Sequence, residues 1–208
     1  MIELFTADTP NGKKISIMLE EIKFDYRVTK IDLTKGEQFQ KNFRKISPFS
    51  KIPVIKDHEN GEEIFESGAI LIYLAEKSNM LYEKKDRLKI NQWLMAQMGY
   101  VGPIIGQHHQ FHHYNPGKSK FGETRYFKIT KSIYTDLDER LLNSKFLAGN
   151  NYSIADIATW PWIARHKWHD IGLKKFKNLT RWYLEISKRE AVKKGYEFMK
   201  QGDKIPLP

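Results

Sequence analysis

The hydrophobic positions of the first 78 residues follow two periods in turn. Apolar residues at positions 15, 18, 19 and 22 lie on one face of a helix, and those at 70, 71 and 74 repeat that spacing. Short apolar or alternating segments of strand type lie before and between the helical ones. The pattern predicts strands Ile2–Phe5, Tyr26–Leu33, Ile52–Ile55 and Glu63–Phe65, with helices after Gly12, over Gln38–Ile46 and over Gly68–Lys77.

The predicted order, β-α-β-α-β-β-α, is the layout of a thioredoxin-like α/β domain over residues 1–79. The first two strands, joined through a helix, form a right-handed parallel unit, and the last two form a hairpin. From residue 86 onward only helical spacing recurs, so we expect an all-α helical bundle domain over 86–202 and a flexible tail over 203–208. Helices are predicted at 88–105, 123–143, 178–188 and 191–200.

One helix start is specified in detail by its sequence. Ser153 stands at an N-cap position and Asp156 follows three residues later, so the two side chains are placed for a reciprocal capping box. Tyr152 before the cap and Ile157 inside the helix are placed for a hydrophobic staple. We therefore predict a structural role for Asp156, and a core position for the tryptophans that follow it.

Composition excludes several kinds of chemistry. The 208 residues contain no cysteine, which rules out disulfides, a cysteine nucleophile, iron–sulfur clusters and thiolate-bound zinc. No apolar run approaches the roughly 18–20 residues needed to cross a bilayer, and the chain starts with Ile2–Phe5 rather than with a signal peptide. We therefore expect a soluble cytoplasmic protein with no membrane partner.

The positive charge is concentrated in the second part of the chain. Residues 1–80 carry a net charge of −1 and residues 81–208 carry +11. The basic residues are scattered among acidic and aromatic ones, which is typical of a solvated basic surface, and a nucleic-acid-binding surface is the alternative. We expect no nucleic-acid partner.

Four segments carry a resemblance to a known family. They are Thr9–Lys14, Ile46–Pro53, Phe65–Ile70 and Tyr152–Trp162. Together with the predicted domain order they resemble the glutathione transferases. The Thr-Pro-Asn-Gly turn at 9–12 resembles the bacterial nu-class members, which are glutathione-dependent disulfide-bond oxidoreductases. The resemblance covers nearly the whole chain and implies glutathione as co-substrate, no metal and a homodimer.

The resemblance implies roles for nine residues. Thr9 and Asn11 are the implied catalytic residues, since a hydroxyl and an amide can both donate hydrogen bonds to a thiolate. Ser67 begins a helix whose N-terminus suits the α-carboxylate of glutathione, and Glu66 would face the neighbouring ammonium. The Ile-Pro pair at 52–53 resembles the family's cis-proline turn, which offers backbone groups to the cysteinyl residue. The implied glutathione-binding set is Asn11, Gln38, Lys51, Ile52, Pro53, Glu66, Ser67 and Arg125.

Several of these residues also have a purely structural interpretation. Thr9 can merely start a helix, Ser67 can merely cap one, and Pro53 can follow an ordinary trans bond. Gln38 matches a contact to the glycyl end of glutathione. Arg125 matches a basic contact from the helical domain, but an arginine on a solvated helix face fits equally well.

The histidines at 108, 109, 112 and 113 form two pairs with i, i+4 spacing. Such a pair can chelate a metal from one helix face. The nearest downstream acid is Glu123, and no His-Glu-x-x-His pattern is present, so we expect no metal. Two interpretations stay open for this segment, a wall of the substrate cleft and an ordinary interfacial or solvated helix.

The missing cysteine also bears on the reaction. Thiol–disulfide exchange needs an attacking thiolate and a resolving thiol, and this chain has neither. The resemblance therefore implies an enzyme that reduces small disulfides with bound glutathione as the thiol. One alternative is a transferase that conjugates glutathione to electrophiles or reduces peroxides, and another is a non-catalytic binding or regulatory module.

Overall fold

The computed structural model describes residues 1–199 and 202–208. These residues form two compact units. The first contains Met1–Met80 and the described part of Arg189–Lys204, and the second contains Leu81–Lys188 and Ile205–Pro208.

The first unit is built on a four-stranded sheet with the strand order β2-β1-β3-β4. Strand β1 pairs in parallel with β2 and antiparallel with β3, which pairs antiparallel with β4. The predicted order of strands and helices is therefore confirmed. The elements are β1 (Ile2–Thr6), α1 (Pro10–Ile22), β2 (Tyr26–Lys30), α2 (Lys41–Ile46), β3 (Val54–Asp57), β4 (Glu63–Phe65) and α3 (Ser67–Ser78).

The boundaries of two strands differ from the predicted ones. Strand β2 ends at Lys30, because Asp32 accepts hydrogen bonds from the backbone and hydroxyl of Thr34 and turns the chain. Strand β3 begins at Val54 and continues to Asp57, which lies opposite Ile2 of β1. Apolar spacing alone placed the end of β2 too late and both ends of β3 too early, because pairing with neighbouring strands sets these boundaries.

The core of the first unit lies between the sheet and its helices. Leu4, on the central strand β1, lies opposite Val28 of β2 and Ile55 of β3. Leu4 and Ile55 are fully buried, as are Met18 and Leu19 of α1. Each such side chain contributes roughly 1.5–3 kcal/mol when removed from water.

The second unit is helical. Its helices are α4 (Arg87–Ala96), α5 (Gly102–His108), α6 (Lys120–Leu142), α7 (Ile154–Ile163), α8 (His166–His169) and α9 (Lys177–Ser187). The π-helical segment Gln97–Val101 joins α4 to α5, and a second one, His109–Tyr114, extends α5. Apart from an isolated bridge between Phe146 and Gly149, the second unit has no strand pairing. The predicted fold class, a thioredoxin-like domain and an all-helical domain, is confirmed.

The start of α7 matches its predicted capping box. The backbone N–H of Ser153 donates to Oδ2 of Asp156 at 3.0 Å, and the hydroxyl oxygen of Ser153 accepts from the backbone N–H of Ala155 at 3.3 Å. Asp156 also accepts hydrogen bonds from Leu147 and Trp182, and it is completely buried. Its burial raises the pKa to about 6, although the hydrogen bonds to the carboxylate oppose that shift.

The C-terminal residues divide differently from the predicted boundaries. Helix α10 (Glu190–Glu197) packs on α1, so the first unit includes residues from the predicted helical domain 86–202. Gly195 permits this approach, because a Cβ there would collide with the backbone of Ile17. Within the predicted tail 203–208, the carbonyl of Pro206 accepts a hydrogen bond from the Tyr183 hydroxyl at 2.7 Å. The predicted end of the last helix, Lys200, lies outside the described residues.

Candidate functional site

Helix α1 begins at a turn fixed by its own side chains. The hydroxyl oxygen of Thr9 accepts a hydrogen bond from the backbone N–H of Gly12 at 3.1 Å, and Pro10 occupies the first helical position. A Cβ at position 12 would collide with the carbonyl oxygen of Ala7, so only glycine fits there. The structural interpretation of Thr9 as a helix cap is therefore correct. Accepting this bond still leaves the Thr9 O–H as a donor.

A cavity of about 150 Å³ lies in the first unit beside the start of α1. Six of the nine predicted site residues line it: Asn11, Lys51, Ile52, Pro53, Glu66 and Ser67. The remaining lining residues are Ser47, Phe49 and Phe65. The Ile52–Pro53 peptide bond is cis, and Ile52 precedes Val54, the first paired residue of β3.

The loop before the cis bond is held by a residue that sequence analysis missed. The hydroxyl of Ser47 donates to the carbonyl of Lys51 at 2.7 Å and accepts from the Lys51 N–H at 2.9 Å. This pair closes the loop and leaves the ring of Phe49 72% exposed at the cavity. The sequence signal was the Ser-Pro dipeptide at 47–48, which indicates a turn but does not show which backbone groups the serine hydroxyl bonds to.

Helix α3 begins at the same cavity without a side-chain cap. Glu66 is the N-cap residue, with a left-handed φ of 71°, and its side chain makes no capping hydrogen bond. Ser67 is the first helical residue rather than the cap, and the first turn carries no acidic side chain. The backbone N–H groups of this first turn and the positive end of the helix dipole suit an anion.

Lys14 is the second residue that sequence analysis did not single out. It lies on α1 and is only 1% exposed, and its Nζ donates a hydrogen bond to the Ser67 hydroxyl oxygen at 3.2 Å. Burial lowers its pKa well below the usual range, while the nearby Glu66 carboxylate acts in the opposite direction. The sequence did hold a signal, since a lysine at 14 shares a helix face with Ile17 and Met18.

Three predicted site residues do not line this cavity. Thr9 stands at the cap of α1, as described above. Gln38 lies in a 3₁₀ turn, Glu37–Phe39, and among the described residues no donor reaches its buried Oε1. Arg125 lies exposed on α6 in the second unit, where it lines a cavity of about 800 Å³ with Lys120, Lys128, Tyr100 and Phe121, among others.

Three buried histidines of the second unit, at 108, 109 and 169, lie at the centre of a network of aromatic contacts. Nε2 of His109 lies 2.8 Å from Nε2 of His169, whose Nδ1 lies 2.5 Å from the Tyr134 hydroxyl. His108 bonds to the His169 carbonyl at 3.0 Å, and His113 stacks on Trp168. Burial lowers the pKa of His109 to about 3, so its ring is neutral near pH 7.

Neither a metal centre nor a membrane-spanning helix emerges from the described residues. Within 1–199 and 202–208, no three His, Cys, Asp or Glu side chains cluster in a way that could hold a metal ion. Over the same residues, no helix is long and apolar enough to cross a bilayer.

Both parts of the chain match known protein families. Residues 2–76 match the glutathione S-transferase N-terminal domain and residues 124–190 match the glutathione S-transferase C-terminal domain. The chain is also 45% identical over 199 residues to the disulfide-bond oxidoreductase YfcG of Escherichia coli K12, with 92% of this chain and 93% of that protein covered.

Solved structures agree with these matches. A glutathione transferase from Burkholderia graminis, with two glutathione molecules bound per subunit, has a TM-score of 0.90 at 35% identity and covers 97% of this chain and 89% of that one. A glutathione transferase from Pseudomonas putida, with one glutathione disulfide bound per subunit, has a TM-score of 0.88 at 37% identity. The match covers 94% of this chain and 90% of that one. These matches support an enzyme that uses glutathione, and they show that the chain belongs to the glutathione S-transferase family.

Proposed function

We propose that this protein is a glutathione-dependent disulfide-bond oxidoreductase that reduces small disulfides. The observation that carries the proposal is a cavity bounded by the starts of two helices, with Asn11 at one and Ser67 at the other, in a chain without cysteine. A site with polar donors and no thiol of its own fits a substrate that brings the thiol. The solved relatives that hold two glutathione molecules or one glutathione disulfide per subunit support this proposal.

The start of α1 is the proposed place for the thiolate. Lowering a thiol pKa from about 8.5 to about 6.5–7 requires roughly 2–3 kcal/mol of preferential stabilisation of the thiolate. A helix N-terminus contributes up to about 1–2 kcal/mol, and a hydrogen bond to a charged group about 1.5–3 kcal/mol. Hydrogen-bond donors from Thr9 and Asn11, together with the N-terminus of α1, therefore suffice to lower the thiol pKa by this amount without a protein base.

The start of α3 is the proposed place for the γ-glutamyl end. Its first-turn N–H groups and the Ser67 hydroxyl would bind the α-carboxylate, and the Glu66 carboxylate would bind the ammonium. The Ile52-Pro53 backbone would receive the cysteinyl residue as an added strand. Lys51, Gln38 and Arg125 complete the proposed glutathione-binding set.

The proposed reaction consists of two thiolate–disulfide exchanges. The first glutathione sulfur attacks the substrate disulfide, which forms a mixed disulfide and releases one substrate thiol. A second glutathione attacks the glutathione sulfur of that mixed disulfide and releases the other. Two glutathione molecules and one disulfide thus become glutathione disulfide and two thiols. The homodimer, the cytoplasmic location and the domain limits at residues 79 and 86 stay predictions.

The test is a paired activity assay on Asn11→Ala. Purified protein is given glutathione with hydroxyethyl disulfide and, in parallel, with chlorodinitrobenzene. We expect turnover of the disulfide, and a loss of about 10- to 100-fold in kcat/KM in Asn11→Ala because a donor to the thiolate is removed. Asn42→Ala is the matched control, since Asn42 is an exposed asparagine on α2 in the same unit and does not line the cavity.

Three outcomes contradict the proposal. Strong turnover of chlorodinitrobenzene with none of the disulfide favours a conjugating transferase. Glutathione binding without turnover of either substrate favours a non-catalytic module. An unchanged disulfide rate in Asn11→Ala removes Asn11 from the mechanism.

A further inference from the structure

We infer that Lys14 is a positioning residue for the α-carboxylate of the γ-glutamyl ligand and acts through the hydroxyl of Ser67. This inference rests on the proposed function, because it concerns the same cavity and the same tripeptide. It adds a residue outside the cavity lining to the recognition of one specific group of that ligand.

The geometry gives Lys14 a direct hold on Ser67. Nζ of Lys14 donates to the Ser67 hydroxyl oxygen at 3.2 Å, and Ser67, itself 5% exposed, lines the cavity at the first residue of α3. This hydrogen bond from Lys14 holds the Ser67 hydroxyl at the cavity, where the start of α3 suits an anion.

The character of the residue at position 14 also needs an explanation. Its neighbours on α1, Ile15, Ile17 and Met18, are almost completely buried, and an aliphatic side chain such as methionine would fill the same space without burying a polar group. A lysine there is costly unless its amine is used. In the structure, this amine donates a hydrogen bond to Ser67 and interacts electrostatically with the Glu66 carboxylate, which are two of the polar side chains of the site.

The local charges specify a zwitterionic ligand group. The first turn of α3 has no acidic side chain, and its N–H groups, its dipole and the Lys14 amine all favour a negative group at Ser67. Glu66 is exposed at the cavity one residue earlier and favours a positive group. An α-amino acid end carries both charges on one carbon, which suits two adjacent residues of opposite preference.

The test measures affinities for glutathione and for a decarboxylated analogue. The analogue, 4-aminobutanoyl-cysteinylglycine, keeps the ammonium and the thiol but lacks the α-carboxylate. By calorimetry we expect Lys14→Met to weaken glutathione binding at least tenfold and analogue binding less than threefold. In the disulfide assay, KM for glutathione should rise while kcat at saturating glutathione stays within threefold of wild type.

Lys13→Met is the matched control. Lys13 is the adjacent lysine on α1, is 3% exposed, and donates to the Tyr196 carbonyl at 2.5 Å rather than to a residue of the cavity. Its substitution should change stability but leave the ratio of the two affinities unchanged. A Lys14→Met protein that loses affinity for both ligands equally, or for neither, overturns the inference.

Two further measurements keep the inference testable if Lys14→Met does not fold. Lys14→Gln keeps a hydrogen-bond donor without the charge. Its preference for glutathione over the decarboxylated analogue should be smaller than that of wild type but should not be lost. A crystal structure of the wild-type protein with glutathione should show the α-carboxylate on the Ser67 hydroxyl with Lys14 behind it, and a carboxylate bound elsewhere overturns the inference. If wild-type protein binds neither ligand, the proposed function itself fails.

Discussion

Two helices of this protein start at a serine and use it differently. At α7, Ser153 and Asp156 satisfy the first turn reciprocally, and Asp156 accepts two more hydrogen bonds from Leu147 and Trp182. At α3, Ser67 stands inside the helix, the cap residue makes no side-chain bond, and the start lies at a cavity.

The difference separates a helix start that is satisfied within the protein from one that we propose binds a ligand. The donors of α7 are used within the protein, so they contribute to the free energy of folding. Helix α3 starts at a cavity, so under the proposed function the interaction energy of its first turn is used to bind an anion. Under the proposed function, similar local sequences therefore serve stability in one unit and recognition in the other.

The largest effect is expected from Asp156→Ala. It leaves three buried donors, the N–H groups of Ser153 and Leu147 and the indole of Trp182, without their acceptor. We expect the free energy of unfolding to fall by about 3–5 kcal/mol, since each unpaired buried donor costs about 1–3 kcal/mol. Urea unfolding followed by circular dichroism measures this. A loss below 1 kcal/mol would show that α7 does not depend on its cap.

The same carboxyl group should give stability a pH dependence. Its folded-state pKa is about 6 and its ordinary value is 3.8, so between these values the folded protein binds a proton that the unfolded chain releases. The contribution of Asp156 is therefore fully present below pH 3.8 and is lost as the pH rises through 6. The unfolding free energy of wild type minus that of Asp156→Asn should fall by about 2–3 kcal/mol across this window. A flat difference would contradict it.

Ser67→Ala tests the opposite side of the comparison. We expect glutathione affinity to fall about 10- to 30-fold, because a hydrogen bond to a charged carboxylate contributes about 1.5–2 kcal/mol. Stability should fall by about 1–3 kcal/mol, because the buried Lys14 amine loses its hydrogen bond to the Ser67 hydroxyl. Calorimetry and urea unfolding on one preparation measure both. The comparison fails if stability falls and affinity does not.

Ser153→Ala should have the smallest effect. Loss of an N-cap hydroxyl lowers the free energy of unfolding by about 1 kcal/mol. Glutathione affinity should stay within twofold of wild type, because Ser153 belongs to the second unit and does not line the cavity of the first. Thermal unfolding with a parallel binding titration checks it, and a large change in affinity would contradict it.

Local sequence predicted much of the fold because its signals are local. Apolar spacing placed every strand and helix of the first 80 residues within a few positions, and the Ser153–Asp156 pair predicted the α7 cap. The ends of β2 and β3 were misplaced because they depend on partners in other strands. Helix α10 was placed in the helical domain although it packs on α1, because Gly195 shows its purpose only against Ile17.

The candidate site was predicted less completely. The residues gathered by the cavity, such as Asn11, Ile52 and Ser67, came from a resemblance of short segments to a family. Lys14 and Ser47 lie within resembling segments but were assigned no role, because the local sequence does not show their partners. Their roles depend on atoms 53 residues away in the first case and across a loop turn in the second.

The sequence by itself determined that the chain has no thiol, that its first 80 residues alternate strand and helix, and that one helix starts with a complete cap. These properties depend on composition and on neighbours within a few residues. Only the tertiary structure decided which helix start lies at a cavity and which buried lysine donates a hydrogen bond to its serine. A cavity and a long-range hydrogen bond exist only after distant segments have packed together, so no local pattern records them.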